Sequence, residues 1–92
     1  MAQQAEVKMY STPWCPFCIR AKQLLKQKKV TFEDINVAFD QNLRNQIALE
    51  TGRTSVPQIF INGEGIGGCD ELYALERSNR LDALIFPNGT GP

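Results

Sequence analysis

Apolar and polar side chains alternate from Glu6 to Ser11, in Glu-Val-Lys-Met-Tyr-Ser, a period of two that predicts a strand. Pro13 and Pro16 end it. Pro16 suits the first position of a helix, where its missing N–H leaves no bond unmade. From Phe17, apolar side chains recur at Ala21, Leu24 and Leu25, a helical spacing that carries to about Lys29. The lysines near its end complement the negative pole of the helix dipole. Alternation returns from Val30 to Asn36, predicting a second strand. Asp40 is placed to cap a helix through Leu43, Ile47 and Ala48, and Gly52 closes it in the position after the C-cap. Val56 to Ile61 reads as a third strand, Asn62-Gly63 as a hairpin turn, and the region of Gly65 and Ile66 as a brief fourth strand. Gly67-Gly68 then opens a helix containing Leu72, Tyr73 and Leu75, and a shorter turn carries Leu81, Leu84 and Ile85.

The order is β-α-β-α-β-β-α in one domain over residues 1–92, with 88–92 expected to be a flexible tail. A strand–helix–strand unit crosses over right-handed and leaves its strands parallel, whereas a hairpin adds antiparallel ones. The expected fold class is therefore α/β, a four-stranded mixed sheet with helices on both faces. Ninety-two residues suit a single modest core.

Composition removes several function classes. No stretch approaches the roughly 20 apolar residues that span a bilayer, so no membrane partner is expected. The first six residues, Met-Ala-Gln-Gln-Ala-Glu, have neither the basic nor the apolar region of a signal peptide. The expected location is cytoplasmic, where disulfides are rare and usually catalytic. Three cysteines are an odd number for a disulfide-stapled scaffold and too few for a structural zinc site. The absence of histidine argues against a metal centre or a Cys–His hydrolase. Net charge is zero but lopsided: before Glu33 six cations face one acid, and from Glu33 onward nine acids face four arginines. Basic residues are not interleaved with aromatics, so nucleic acid is a poor partner. They do place cations around the first two cysteines.

Those cysteines, Cys15 and Cys18, fall where the first strand gives way to the first helix. Residues three apart on a helix have β-carbons about 5–6 Å apart, a gap a disulfide can close with small adjustment. Cys15 lies at the helix N-terminus, where free N–H groups and the dipole stabilise an anion, and the thiolate is the species that attacks a disulfide. Cys18 lies one turn inward, more buried, as a resolving thiol should be. Pro16 offers Cys15 no N–H.

At this point the chain resembles a known family. Trp14-Cys15-Pro16-Phe17-Cys18 is similar to the Cys-Pro-Tyr/Phe-Cys site of the dithiol glutaredoxins, Thr54-Ser55-Val56-Pro57-Gln58-Ile59-Phe60-Ile61 to their Thr-Val-Pro segment, and Gly67-Gly68-Cys69-Asp70-Glu71-Leu72 to their Gly-Gly-Cys/Ser-Asp-Asp-Leu signature. The similarity runs from about Glu6 to Leu84 and fits the short bacterial type best. It implies a thioredoxin-like fold, with Cys15 and Cys18 as catalytic thiols and glutathione as co-substrate, no cofactor being held. It also implies a cis peptide between Val56 and Pro57, with the Val56 backbone pairing to glutathione as a short added strand. Phe17 would line the glutathione groove. Gly68 would let backbone approach the ligand closely. Cys69 and Asp70 would receive the γ-glutamyl end, Asp70 accepting from its ammonium group. The place three residues before Cys15, a lysine in many relatives, is Thr12 here. Arg20 and Lys22 are the cations nearest in sequence that could take over its charge. Cys69 needs no role beyond that of a small apolar side chain, the alternative being an oxidation that blocks the groove.

Two functions follow from the resemblance. One is a glutathione-dependent thiol–disulfide oxidoreductase, a monomer acting on glutathionylated or disulfide-containing proteins, with potentials of roughly −200 to −230 mV as is typical of such proteins. The alternative is a dimer carrying a glutathione-ligated 2Fe–2S cluster on Cys15, which Pro16 and the second cysteine disfavour. The absorbance of anaerobically purified protein separates them.

Overall fold

The computed structural model describes residues 4–86, so the tail expected over 88–92 lies outside the described residues. Its elements run β1 (Val7–Ser11), α1 (Pro16–Gln27), β2 (Glu33–Asn36), α2 (Gln41–Thr51), β3 (Gln58–Ile61), β4 (Glu64–Gly67), α3 (Cys69–Arg77) and α4 (Leu81–Ile85). The strands form one mixed sheet in the order β2-β1-β3-β4. β1 is parallel to β2 and antiparallel to β3, and β3 is antiparallel to β4. This is the expected α/β order. No helix among the described residues is long and apolar enough to cross a membrane.

The period-two pattern of β1 decides where the core lies. Val7 pairs with Ile61 and Met9 with Ile59, so these four side chains share one face. That face is sealed by Ala21, Leu24 and Leu25 of α1, Leu72 of α3, and Leu81 and Ile85 of α4. Met9, Leu25, Ile59 and Leu72 are fully buried, each contributing about 1.5–3 kcal/mol of transfer free energy. The other face carries Tyr10 and Phe60, packed edge to face at 5.5 Å. It lies under α2, whose Ile47 is the buried residue of that helix. On the same face Gln58 is buried and donates from Nε2 to the Ser55 carbonyl (2.9 Å), tethering the segment that leads into the site.

The observed boundaries differ from the sequence expectation where hydrogen bonds are spent on caps. α1 ends in a Schellman motif: Lys29 N–H donates to Lys26 O and Val30 N–H to Leu25 O, with Lys29 at φ 58°. Val30 is therefore a core residue closing a helix, not the first residue of a strand, and β2 starts only at Glu33. The same arrangement closes α3, with Asn79 at φ 61° and Arg80 N–H bonded to Leu75 O. The chain leaves it directly into α4, so the expected short turn is a helix. β3 starts at Gln58 rather than Val56, because Pro57 has no N–H for the ladder. Lys28 at the end of α1 bonds Glu76 of α3 (2.9 Å) and Asp82 of α4 (2.8 Å), and these two carboxylates hold its ammonium above its usual range. The three helices on the core face are thereby tied together below the site.

Candidate active site

β1 delivers the chain into the turn Thr12–Cys15, where Cys15 N–H donates to Thr12 O (3.4 Å). Cys15 is the N-cap of α1: its backbone is extended (φ −84°, ψ 118°), its carbonyl accepts from Ile19 N–H, and its Sγ accepts from Cys18 N–H at 3.4 Å. A sulfur in the place usually taken by a serine or aspartate oxygen receives an orphan helix N–H, and the dipole favours negative charge there. Cys15 is partly exposed, Cys18 is buried, and both are free thiols. Burial pushes the Cys18 thiol up to about 11; neighbouring Cys15 adds to this, while a backbone hydrogen bond from Thr12 and the Lys22 ammonium pull it down. The two thiols thus differ in exposure, with Cys15 partly open to solvent at a helix end and Cys18 buried and held protonated beneath it.

The second motif meets the first here. Val56-Pro57 is a cis peptide, as the resemblance implied. The Val56 carbonyl faces the cysteines and accepts from the Cys15 thiol at 3.7 Å. From this point a groove of about 180 Å³ runs between α1, the Val56-Pro57 segment and the start of α3, lined by Phe17, Arg53, Ser55, Val56, Pro57, Gly68, Cys69, Asp70 and Glu71. All six residues expected to bind glutathione therefore border one hollow. Gly68 suits the closeness of the walls, since a β-carbon at that position would stand 3.0 Å from the Pro57 carbonyl oxygen, a tight contact that the backbone would have to relieve by shifting slightly. Phe17 is about half exposed and faces the groove, not the core that its spacing with Ala21 also allowed. Cys69 is buried, and desolvation raises its thiol. Asp70 stands exposed in the first turn of α3.

Three lining residues were not anticipated: Arg53, Ser55 and Glu71. Glu71 had a signal, the capping spacing three residues after Gly68. Its Oε1 accepts from Gly68 N–H (2.6 Å) and from Arg53 Nη1 (2.8 Å), and these bonds, the backbone one first, lower its pKa. Arg53 had no such signal, because its partner lies 18 residues away on α3. It is nevertheless the cation among the residues that line the groove, paired there with Glu71. Arg20 stacks over the Tyr73 ring at 5.6 Å and Lys22 pairs with Asp34 at 2.6 Å, and neither lines the groove. Thr12 itself is buried.

The Glu71 shift has a measurable consequence. A carboxyl whose pKa is depressed on folding stabilises the fold above its unfolded value and loses that contribution as pH falls through the folded one. Glu71→Gln is therefore expected to be less stable than the parent at neutral pH. The difference should shrink as pH drops below 4.5, the ordinary value for this group. Urea unfolding at a series of pH values reads this directly; a gap that stays constant would remove the ionised carboxylate from the account.

The comparisons bear on this geometry. The Glutaredoxin family model matches residues 7–66, which carry both the Cys15–Cys18 pair and the cis-proline segment. A glutaredoxin of Pseudomonas aeruginosa is 52% identical over 79 residues, 86% of this chain and 94% of that protein. The solution structure of a glutaredoxin from Brucella melitensis is 41% identical, with a TM-score of 0.83 over 94% of each chain. A buckwheat glutaredoxin crystallised as a glutathione complex is 25% identical, with a TM-score of 0.87 over 96% of this chain and 83% of that one. With the whole α/β architecture, the free thiol pair at a helix mouth and the matched family model in agreement, this chain belongs to the glutaredoxin family and is a thiol–disulfide oxidoreductase of the thioredoxin fold.

Proposed function

We propose that the protein reduces glutathione mixed disulfides and protein disulfides at the expense of glutathione, through Cys15 as nucleophile and Cys18 as resolving thiol. The observation that carries this reading is the position of Cys15 Sγ. It is capped by the Cys18 N–H and lies 3.7 Å from the carbonyl of Val56, a residue that lines the groove. The glutathione bound by the buckwheat relative supports the choice of co-substrate. Within the groove Val56 would pair with the tripeptide backbone, Phe17 and Pro57 would flank it, and Gly68, Cys69 and Asp70 would receive its γ-glutamyl end. Arg53, paired with Glu71 on the groove wall, would add a cation to the ligand's surroundings.

With a glutathionylated protein, the Cys15 thiolate attacks the glutathione sulfur. A Cys15–glutathione bond forms, the substrate S–S bond breaks, and the released thiolate takes up a proton. A second glutathione thiolate then attacks the glutathionyl sulfur, producing oxidised glutathione and restoring Cys15. With a protein disulfide, Cys15 forms the mixed disulfide and Cys18, after losing its proton, attacks Cys15 Sγ. The Cys15–Cys18 disulfide that results is reduced by two glutathione molecules. The raised pKa of Cys18 keeps it from competing for the first attack. The protein is proposed to work as a cytoplasmic monomer.

Glutathione titrated into the ¹⁵N-labelled protein should shift the amides of Val56, Gly68, Cys69 and Asp70. Asp70→Ala should raise the KM for a glutathione mixed disulfide about tenfold, the loss of one charge-assisted hydrogen bond, with kcat little changed. Unmoved amides in that segment would sink the glutathione assignment.

A further inference from the structure

Two large aromatic side chains stand in solvent beside the reactive sulfur but outside the groove. Trp14, next to Cys15 in the chain, is 63% exposed, and Phe39 is 93% exposed. Their rings meet at 5.9 Å with an interplanar angle of 63°. Neither borders the hollow that receives Phe17 and Asp70. Single exposed apolar residues are ordinary on a protein surface; a contiguous pair is a stronger signal of a contact surface.

The loop that carries Phe39 is pinned. Val37 is buried and its N–H donates to Ser11 O (2.9 Å). Ala38 N–H donates to Asn36 Oδ1 (2.9 Å), Asp40 N–H to Val37 O (3.3 Å), and Asp40 Oδ1 caps α2 at Leu43 N–H (3.0 Å). Phe39 is thus held outward by a bonded backbone on either side of it, with the buried Val37 two residues away as its anchor. On the other side of the contact, the turn Thr12–Cys15 fixes Trp14 at the mouth of α1. The fold presents both rings to solvent, uncovered by the described residues of the core face.

We propose that Trp14 and Phe39 form a docking shelf for the polypeptide flanking the disulfide of a protein substrate, favouring segments with an aromatic or large aliphatic residue beside the reactive cysteine. This deepens the function proposed above and rests on it. Its physical basis is continuity with the reacting atom. A protein disulfide engaged by Cys15 must lay its chain over the surface around the sulfur, and a groove of about 180 Å³ takes up only a small part of that chain. The remaining chain meets whatever adjoins Cys15 outside the groove, and there the structure offers apolar ring edges and faces. Aromatic contacts of this kind give area at small entropic cost, since each ring turns about two side-chain bonds. Small glutathione mixed disulfides would not reach the shelf, so it selects among protein substrates without altering the chemistry.

The test uses Phe39→Ala, a change at an almost fully exposed position that does not line the groove. Two disulfide-bridged peptides are compared, identical except that leucine or serine flanks the cysteine, together with a small glutathione mixed disulfide. The parent protein should reduce the leucine peptide with the higher kcat/KM. Phe39→Ala should raise the KM for that peptide about three- to tenfold, leaving its kcat, the serine peptide and the small mixed disulfide within about twofold. Equal kcat/KM for both peptides in the parent, or an equal effect of Phe39→Ala on all three substrates, would overturn the shelf. Failure of the parent to turn over the small mixed disulfide would instead overturn the glutathione reading, so the two are read separately.

Discussion

Cys15→Ser is expected to bring reduction of both glutathione mixed disulfides and protein disulfides to background, a fall of about a thousandfold or more. The reason is positional as well as chemical. Serine would still cap α1 and accept the N–H that now points at Sγ, so the helix should keep its stability. What disappears is the attacking sulfur, since an alkoxide is not available at neutral pH. Cys18→Ser separates the two routes. Its glutathione mixed-disulfide turnover should stay within about threefold of the parent, because that route ends in attack by a second glutathione. Protein-disulfide reduction should stall, and the trapped adduct on Cys15 should be visible by intact mass. Cys18 is fully buried with its thiol pushed up to about 11, so it offers little thiolate of its own and cannot replace Cys15. Appreciable turnover in Cys15→Ser would remove the proposed nucleophile.

Gly67→Ala is expected to cost about 3 kcal/mol, lowering Tm by about 10–20 °C in a domain of this size. Gly67 has φ 110°, a backbone state in which a β-carbon costs about 1–2 kcal/mol. That β-carbon would also stand 2.6 Å from Glu71 Oε1 and 2.7 Å from its Cγ. Glu71 can move only by releasing the Gly68 N–H at 2.6 Å and the Arg53 guanidinium at 2.8 Å, a charge-assisted pair of bonds at the opening of α3. The damage reaches the groove, because Gly68, Cys69 and Asp70 form its wall there, and the KM for a glutathione mixed disulfide should rise with the loss of stability. Gly63→Ala is the control. It has φ 81° and open space around its built β-carbon, so it should show the conformational cost alone. Equal melting temperatures for the two variants would show that the Glu71 contact is not what makes Gly67 necessary.

Much of this is legible in the chain alone. The alternation of Val7 and Met9, the 3–4 spacing of Ala21, Leu24 and Leu25, the Asp40 cap and the Asn62-Gly63 turn each act over a few residues, and each forms the element it predicts. The six expected groove residues all border one hollow because three short motifs carry them. The misplaced boundaries have a different origin. Val30 and Thr31 alternate like strand residues, yet their N–H groups go to Leu25 O and Gln4 Oε1. A Schellman cap with lysine, not glycine, in the left-handed position leaves no compositional mark. Arg53 escaped notice for a related reason: its bond to Glu71 spans 18 residues, and nothing beside it in the chain announces the partner.

What the sequence by itself determined is local: the element types, the helix-mouth location of Cys15, the inward turn of Cys18 and the three motifs. Short-range sterics, side-chain period and orphan N–H groups settle these, and all of them act within a turn or a pleat. Only the tertiary structure decided that the Val56 carbonyl lies 3.7 Å from Cys15 Sγ, that Arg53 is the cation of the groove, and that Trp14 and Phe39 meet outside it. Those distances depend on the strand order β2-β1-β3-β4 and on helices packed across a shared core. Packing of that kind is a balance among many weak contacts between residues far apart in the chain, and no short stretch of sequence contains it.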